Sequence, residues 1–113
     1  QPSKGNANFL GDASGGILFD AGIGIRNFSK ALSLAELEPG CIRAILVSHD
    51  HSDHVHGLEA ISTRCGIPVY GSRGTLESLL KKGILSGKQQ LFALNGPAEV
   101  AGFYVTPFAT PHD

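Results

Sequence analysis

The residues richest in chemistry lie between Ser48 and Gly57, in the run SHDHSDHVHG. Four of the five histidines, His49, His51, His54 and His56, fall inside it, together with Asp50 and Asp53. Imidazole nitrogen and carboxylate oxygen are the ligands of zinc and other divalent metals, and several of them closely spaced at a strand end are what a metal loop requires. If the backbone stays extended, its period of two puts His49, His51 and Asp53 on one side and turns Asp50 and Ser52 away, leaving Asp50 to fix the loop through backbone amides. A turn at Asp53 and His54 brings His54 to the same centre, so that two metal positions become feasible, and Gly57 eases the start of the next helix. The mixed His/Asp set, with no thiol near it in sequence, favours zinc, with iron or manganese as alternatives. Such a site suits hydrolysis: zinc lowers the pKa of its water to about 7, and a hydroxide between two metals is the natural nucleophile. The competing reading of the same residues is a solvated histidine-rich turn or a purely structural zinc loop. His56 is open between lining a substrate cleft and starting a helix.

Holding ligands in place needs a rigid strand end. Arg43 to Val47 is a nearly continuous apolar run ending at Ser48, the pattern of a strand buried on both faces, which helices must cover. Upstream, Asn8 to Leu10 and Gly16 to Asp20 read as two antiparallel strands joined by a tight turn. Phe28, Ala31, Leu32 and Ala35 fall at helical spacing through Leu37, and Glu38-Pro39-Gly40 stops that helix. Downstream, Leu58, Ile61 and Cys65 continue a helical face up to Gly66-Ile67-Pro68, and Val69-Tyr70 reads as a strand. Ser72 or Thr75 can cap a helix carrying Leu76, Leu79 and Leu80 that ends near Gly83. Leu91 to Leu94, Glu99 to Ala101 and Phe103 to Pro107 return to strand patterning. A hairpin followed by alternating helices and strands predicts a layered α/β domain with no interior boundary.

Composition sets the outer limits. With 113 residues, 42% hydrophobic, 17% charged and a net charge of −1, the chain reads as one globular domain or part of one, and no overall field draws a polyanion to it. Its apolar runs are too short to span a bilayer and Gln1 to Leu10 lacks an export signal, so no membrane association and a soluble, cytoplasmic protein are expected. Cys41 and Cys65 lack Cys-x-x-Cys spacing and are expected as reduced, mostly buried thiols. No Met is present and the chain begins abruptly at Gln1, so it reads as trimmed or incomplete.

The segment ILVSHDHSDHVHGL resembles the His-x-His-x-Asp-His signature of the metallo-β-lactamase superfamily, and LFDAG at Leu18 to Gly22 resembles the strand and aspartate that precede it there. With SKGNANFL, GIPVYGSRGTLESL and TPFATPHD added, the chain is similar to the bacterial YycJ/WalJ-type branch over essentially its whole length. The resemblance implies an α/β fold forming about the first half, residues 1–113, of a four-layer αββα sandwich, and a nuclease-like phosphodiester hydrolase using two divalent metal ions. It implies that His49, His51 and His112 hold the first metal and that Asp53 and His54, also the residues assigned to catalysis, serve the second. The bridging aspartate and a final histidine are then expected beyond Asp113, which leaves the second site incomplete. Asp20 would buttress the site, although an ordinary strand-end carboxylate is an equal reading.

Two rivals accompany the phosphodiesterase expectation. The same centre can polarise a carbonyl, giving a hydrolase of thioesters, lactones or β-lactams. Alternatively, the chain is a metal-binding fragment without turnover, whose exposed sheet edge and apolar face invite self-association. A nucleic acid or small phosphodiester is the expected partner. Gly5-Asn6 could present backbone amides to an anionic substrate or form a plain turn, and Arg64, Arg73, Lys81, Lys82 and Lys88 read as a solvated helical face rather than a phosphate track.

Overall fold

A computed structural model describes residues 5–106. Strands β1 (Asn8–Asp12) and β2 (Gly15–Phe19) form the expected hairpin, in antiparallel register from Asn8 opposite Phe19 to Asp12 opposite Gly15. Its turn is closed by Asp12, whose Oδ1 accepts from the amide and hydroxyl of Ser14 at 2.9 and 2.5 Å. Strands β3 (Ile42–Leu46), β4 (Val69–Gly71) and β5 (Leu91–Ala93) extend the sheet in the order β1-β2-β3-β4-β5, and every pairing after the hairpin is parallel. Parallel neighbours need crossovers, and helices supply them. Helix α1 (Ile25–Leu34) joins β2 to β3, α2 (Ser52–Val55) and α3 (Leu58–Arg64) join β3 to β4, and α4 (Arg73–Lys81) joins β4 to β5. A separate antiparallel pair, β6 (Ala98–Val100) and β7 (Phe103–Val105), follows.

The two sheet faces bury different partners. On one face Leu18, Ile45 and Val69 pack with Phe28 and Leu32 of α1, Leu58 and Ile61 of α3, and Leu76 and Leu79 of α4. On the other, Ile17, Ala44 and Leu46 pack with Val100, and Phe19, Tyr70, Phe103 and Val105 join them. Each fully buried side chain such as Ile45, Ile61 or Leu79 contributes about 1.5–3 kcal/mol relative to exposure. A helix layer, a sheet and a strand pair on the opposite face make the layered α/β arrangement that the alternating pattern predicts.

Two boundaries differ from expectation. Helix α1 stops at Leu34 rather than Leu37, because Glu36 adopts a left-handed φ of 58° that no helix can continue. Strand β3 is not buried throughout: its register against β2 passes from Gly16–Ile42 to Ile17–Ala44, so Arg43 is an extra, bulged residue. The bulge puts Arg43 in solvent, where its guanidinium donates to the Ser14 carbonyl at 3.0 Å, and sends Ile42 to the helix face while Ala44 points to the other. Cys41 is buried and Cys65 half-buried, both free thiols. Among the described residues no helix is long and apolar enough to cross a membrane.

Candidate metal centre

In open α/β sheets, ligands bind beyond the carboxyl ends of the parallel strands. Here Asp20 leaves β2, Ser48 to His51 leave β3, and Ser72, after β4, caps α4 by accepting from the Thr75 amide at 3.1 Å. All three strand ends lie on one edge of the sheet because β2, β3 and β4 run parallel.

Asp20 is buried and sits at φ 65°, a left-handed conformation that aspartate tolerates better than most residues. Its Oδ1 accepts from the Ser48 amide at 2.8 Å, and its Oδ2 accepts from the Ser48 hydroxyl at 2.7 Å and meets His54 Nδ1 at 2.8 Å. An ionised carboxylate only accepts, so His54 Nδ1 carries the proton. Ser48 gives its single hydroxyl proton to Asp20, and its 2.8 Å contact with His49 Nδ1 is therefore donated by the imidazole. One carboxylate thus fixes two rings in the same tautomer, directly for His54 and through Ser48 for His49. The Nε2 lone pairs of both are left for a metal, and the ring centroids stand 4.7 Å apart.

The other expected residues divide as follows. His51, the N-cap of α2, stacks on His49 with centroids 5.9 Å apart, so the period of two does bring these rings to one side. The extended conformation stops there. Helix α2 begins at Ser52, and Asp53 reaches the centre from its first turn rather than from a continued strand. That turn leaves Asp53 Oδ2 3.8 Å from His54 Nε2. His112 lies outside the described residues. His56 ends α2, is exposed, and is not among the residues lining the neighbouring cleft. One potential ligand atom from each of Asp20, His49 and His54 lies within 4.8 Å of the others, a group that does not include His51 or Asp53. Since both Asp20 oxygens are engaged by Ser48 and His54 Nδ1, Asp20 serves in it as the buttress of the two imidazoles. Donor types, spacing and tautomers all fit a divalent metal.

Main-chain bonds hold this arrangement. The Ala21 amide donates to the His54 carbonyl at 2.9 Å, the Gly57 amide to Ala21 at 2.8 Å, and the Asn6 amide to Asp53 at 2.5 Å. Glycine is required where the segments touch: a Cβ on Gly22 would lie 1.9 Å from the Asp53 carbonyl oxygen, and one on Gly57 1.8 Å from that of Ile23. The Asn6 amide is therefore spent on the loop rather than offered to a substrate. The Asn6 side chain, which sequence reasoning missed, lies 3.2 Å from Asp53 Oδ2 and 3.4 Å from His54 Nε2.

Asp50 Oδ2 turns towards α4, where Ser78 Oγ and Lys82 Nζ donate to it at 2.7 and 2.8 Å, while Oδ1 lies 4.0 Å from His51 Nε2 and the carboxylate also accepts from its own residue's backbone amide. The hydrogen bond from Lys82, then that from Ser78, hold the Asp50 carboxyl well below the usual carboxylate range. Lys82 is thus an ion-pair partner, whereas Arg64, Arg73, Lys81 and Lys88 are exposed as expected. Between loop and helix lies a cleft of about 420 Å³ lined by His49, Asp50, His51, Thr75, Ser78 and Lys82 among others.

Comparison with known proteins adds to this geometry. The profile of the Beta-lactamase superfamily domain matches residues 16–113. The chain is 28% identical to exodeoxyribonuclease YycJ of Bacillus anthracis, over 98% of this chain and 43% of that protein. It is 32% identical to hydroxyacylglutathione hydrolase of Wigglesworthia glossinidia brevipalpis, over 81% of this chain and 39% of that protein. A metallo-β-lactamase with a HARLDQ motif from Cronobacter sakazakii superposes with a TM-score of 0.69 at 21% identity, covering 85% of this chain and 44% of that one. The chain spans less than half the length of the curated relatives it matches.

Proposed function

Because the chain belongs to the β-lactamase superfamily and forms about the first half of its αββα sandwich, we propose that the full-length protein is a metal-dependent hydrolase of phosphodiesters, with a DNA or RNA strand end as its substrate class. The observation that supports the hydrolytic reading is the single carboxylate of Asp20 engaging Nδ1 of His54 directly and Nδ1 of His49 through Ser48, with the two rings 4.7 Å apart and their Nε2 atoms outside these contacts. Likeness to an exodeoxyribonuclease over 98% of the chain supports the phosphodiester class.

Divalent ions, zinc first and iron or manganese next, would be held by His49, His51 and His112 and by Asp53 and His54, and when bound they supply Lewis-acid polarisation of a phosphoryl oxygen. The protein's own part is positional. Asp20 keeps the imidazoles in the metal-binding tautomer, and Asn6 steadies the Asp53 carboxylate. The cleft beside the loop, walled by α4, gives a substrate a place to lie against His49 and His51.

Likeness to hydroxyacylglutathione hydrolase favours a second reading, thioester hydrolysis on the same centre. Metal content of the purified full-length protein, with assays on end-labelled DNA, bis-p-nitrophenyl phosphate and a thioester probe, separates the two. Phosphodiester cleavage that His49→Ala and His54→Ala abolish is expected. Turnover of the thioester alone refutes the proposal.

A further inference from the structure

Asp50 lies between two expected ligands, and although its Oδ1 comes within 4.0 Å of His51 Nε2, its Oδ2 accepts two hydrogen bonds from a distant part of the chain, from Ser78 Oγ at 2.7 Å and Lys82 Nζ at 2.8 Å. Its side chain is 15% exposed, Ser78 lies near the end of α4 and Lys82 is the C-cap of that helix, and α4 is itself fixed by the Ser72 cap and by buried Leu76 and Leu79. The metal loop therefore has two tethers. Asp20 holds it on the β2 side through Ser48 and His54, and Asp50 holds the segment between His49 and His51 on the α4 side.

We propose that Asp50, Ser78 and Lys82 form a positioning clamp that sets the separation of His49 and His51, so that metal affinity depends on two α4 side chains that never touch the metal. The inference rests on reading the loop as a metal site. Lys82 is the informative member because two physical effects oppose each other there. Removing a cation near a cation site, acting through the field alone, tightens metal binding, whereas loosening a ligand weakens it.

The test is a zinc titration of the full-length protein against a competing chelator, comparing the native protein with Lys82→Met, Lys82→Arg, Ser78→Ala and Asp50→Asn. Circular dichroism confirms folding of each. Losses of about 10-fold or more are expected for Lys82→Met and Asp50→Asn, on the scale of groups that orient metal ligands, with partial recovery in Lys82→Arg. Unchanged or tighter binding in Lys82→Met overturns the clamp, as does a change in KM of the hydrolase with metal affinity intact. No zinc uptake by the native protein overturns instead the metal-site reading beneath it.

Discussion

Replacing Asp20 by Asn is the sharpest perturbation the site offers, because it preserves size and tolerates the left-handed backbone at φ 65° while removing an acceptor. The carboxylate now accepts from the Ser48 amide, the Ser48 hydroxyl and His54 Nδ1. If the new oxygen stays on the Ser48 amide, the new NH2 faces His54 Nδ1 and Ser48 Oγ. Both must then accept, so His54 moves its proton to Nε2, and Ser48 reverses and forces His49 to do the same. Three charge-assisted hydrogen bonds become neutral ones, a loss of about 1 kcal/mol each and so about 3 kcal/mol in stability. The larger effect is on the metal, because both Nε2 lone pairs are replaced by N–H. Zinc affinity should fall roughly 10- to 100-fold, equivalent to about 1.4–2.8 kcal/mol. Urea unfolding reads the first quantity, chelator competition the second, and nitrogen NMR of the imidazoles reports the tautomers directly. Native-like zinc affinity with unchanged tautomers would refute the relay.

Three further outcomes follow from the same structure. Ser48→Ala removes the link to His49 but leaves Asp20 on His54, so zinc affinity should fall about 10-fold with a smaller stability loss than Asp20→Asn, measured by the same titration and urea curves. Gly22→Ala drives a Cβ to within 1.9 Å of the Asp53 carbonyl oxygen and should cost about 3 kcal/mol or more in chemical unfolding, with loss of zinc uptake. Burial acts to raise the Glu59 pKa, but hydrogen bonds from Gln89 and Ser86 outweigh it and leave the pKa lowered. A lowered folded value means that this stabilisation is present above the unfolded pKa of about 4.3 and is lost as pH falls through the folded value. Glu59→Gln should therefore flatten the acid limb of stability against pH, and an unchanged limb would count against this pairing.

What could be seen in the sequence was what is local. The metal loop stood out because its residue types are rare together, and His49 and His51 share a side because two residues of extended chain dictate it. The cap at Ser72 was likewise legible, since capping is decided within one turn. The start of α2 at Ser52 was not: a short polar run has no periodicity from which to tell a helical turn from a strand, so Asp53 arrived by a different path. The bulge at Arg43 was hidden because it depends on the register with β2 rather than on β3 alone. The remaining omissions are long-range pairs. Asp50 meets Ser78 and Lys82 at separations of 28 and 32 residues, and Asn6 meets Asp53 across 47, distances over which only the assembled sheet determines proximity.

The lacing of the loop to the segment after β2 runs from amide to carbonyl, through Asn6, Ala21, Asp53, His54 and Gly57. Such bonds are blind to the side chains they carry. The scaffold behaves like a socket whose shape is written in backbone and whose contacts are interchangeable pins. On the proposed metal reading, a change of histidine to another ligand would alter metal preference while the strand end, turn and helix start stay where they are. Evolution can therefore explore new metals and new substrates on this edge of the sheet one position at a time, constrained chiefly by the glycines that let the segments meet.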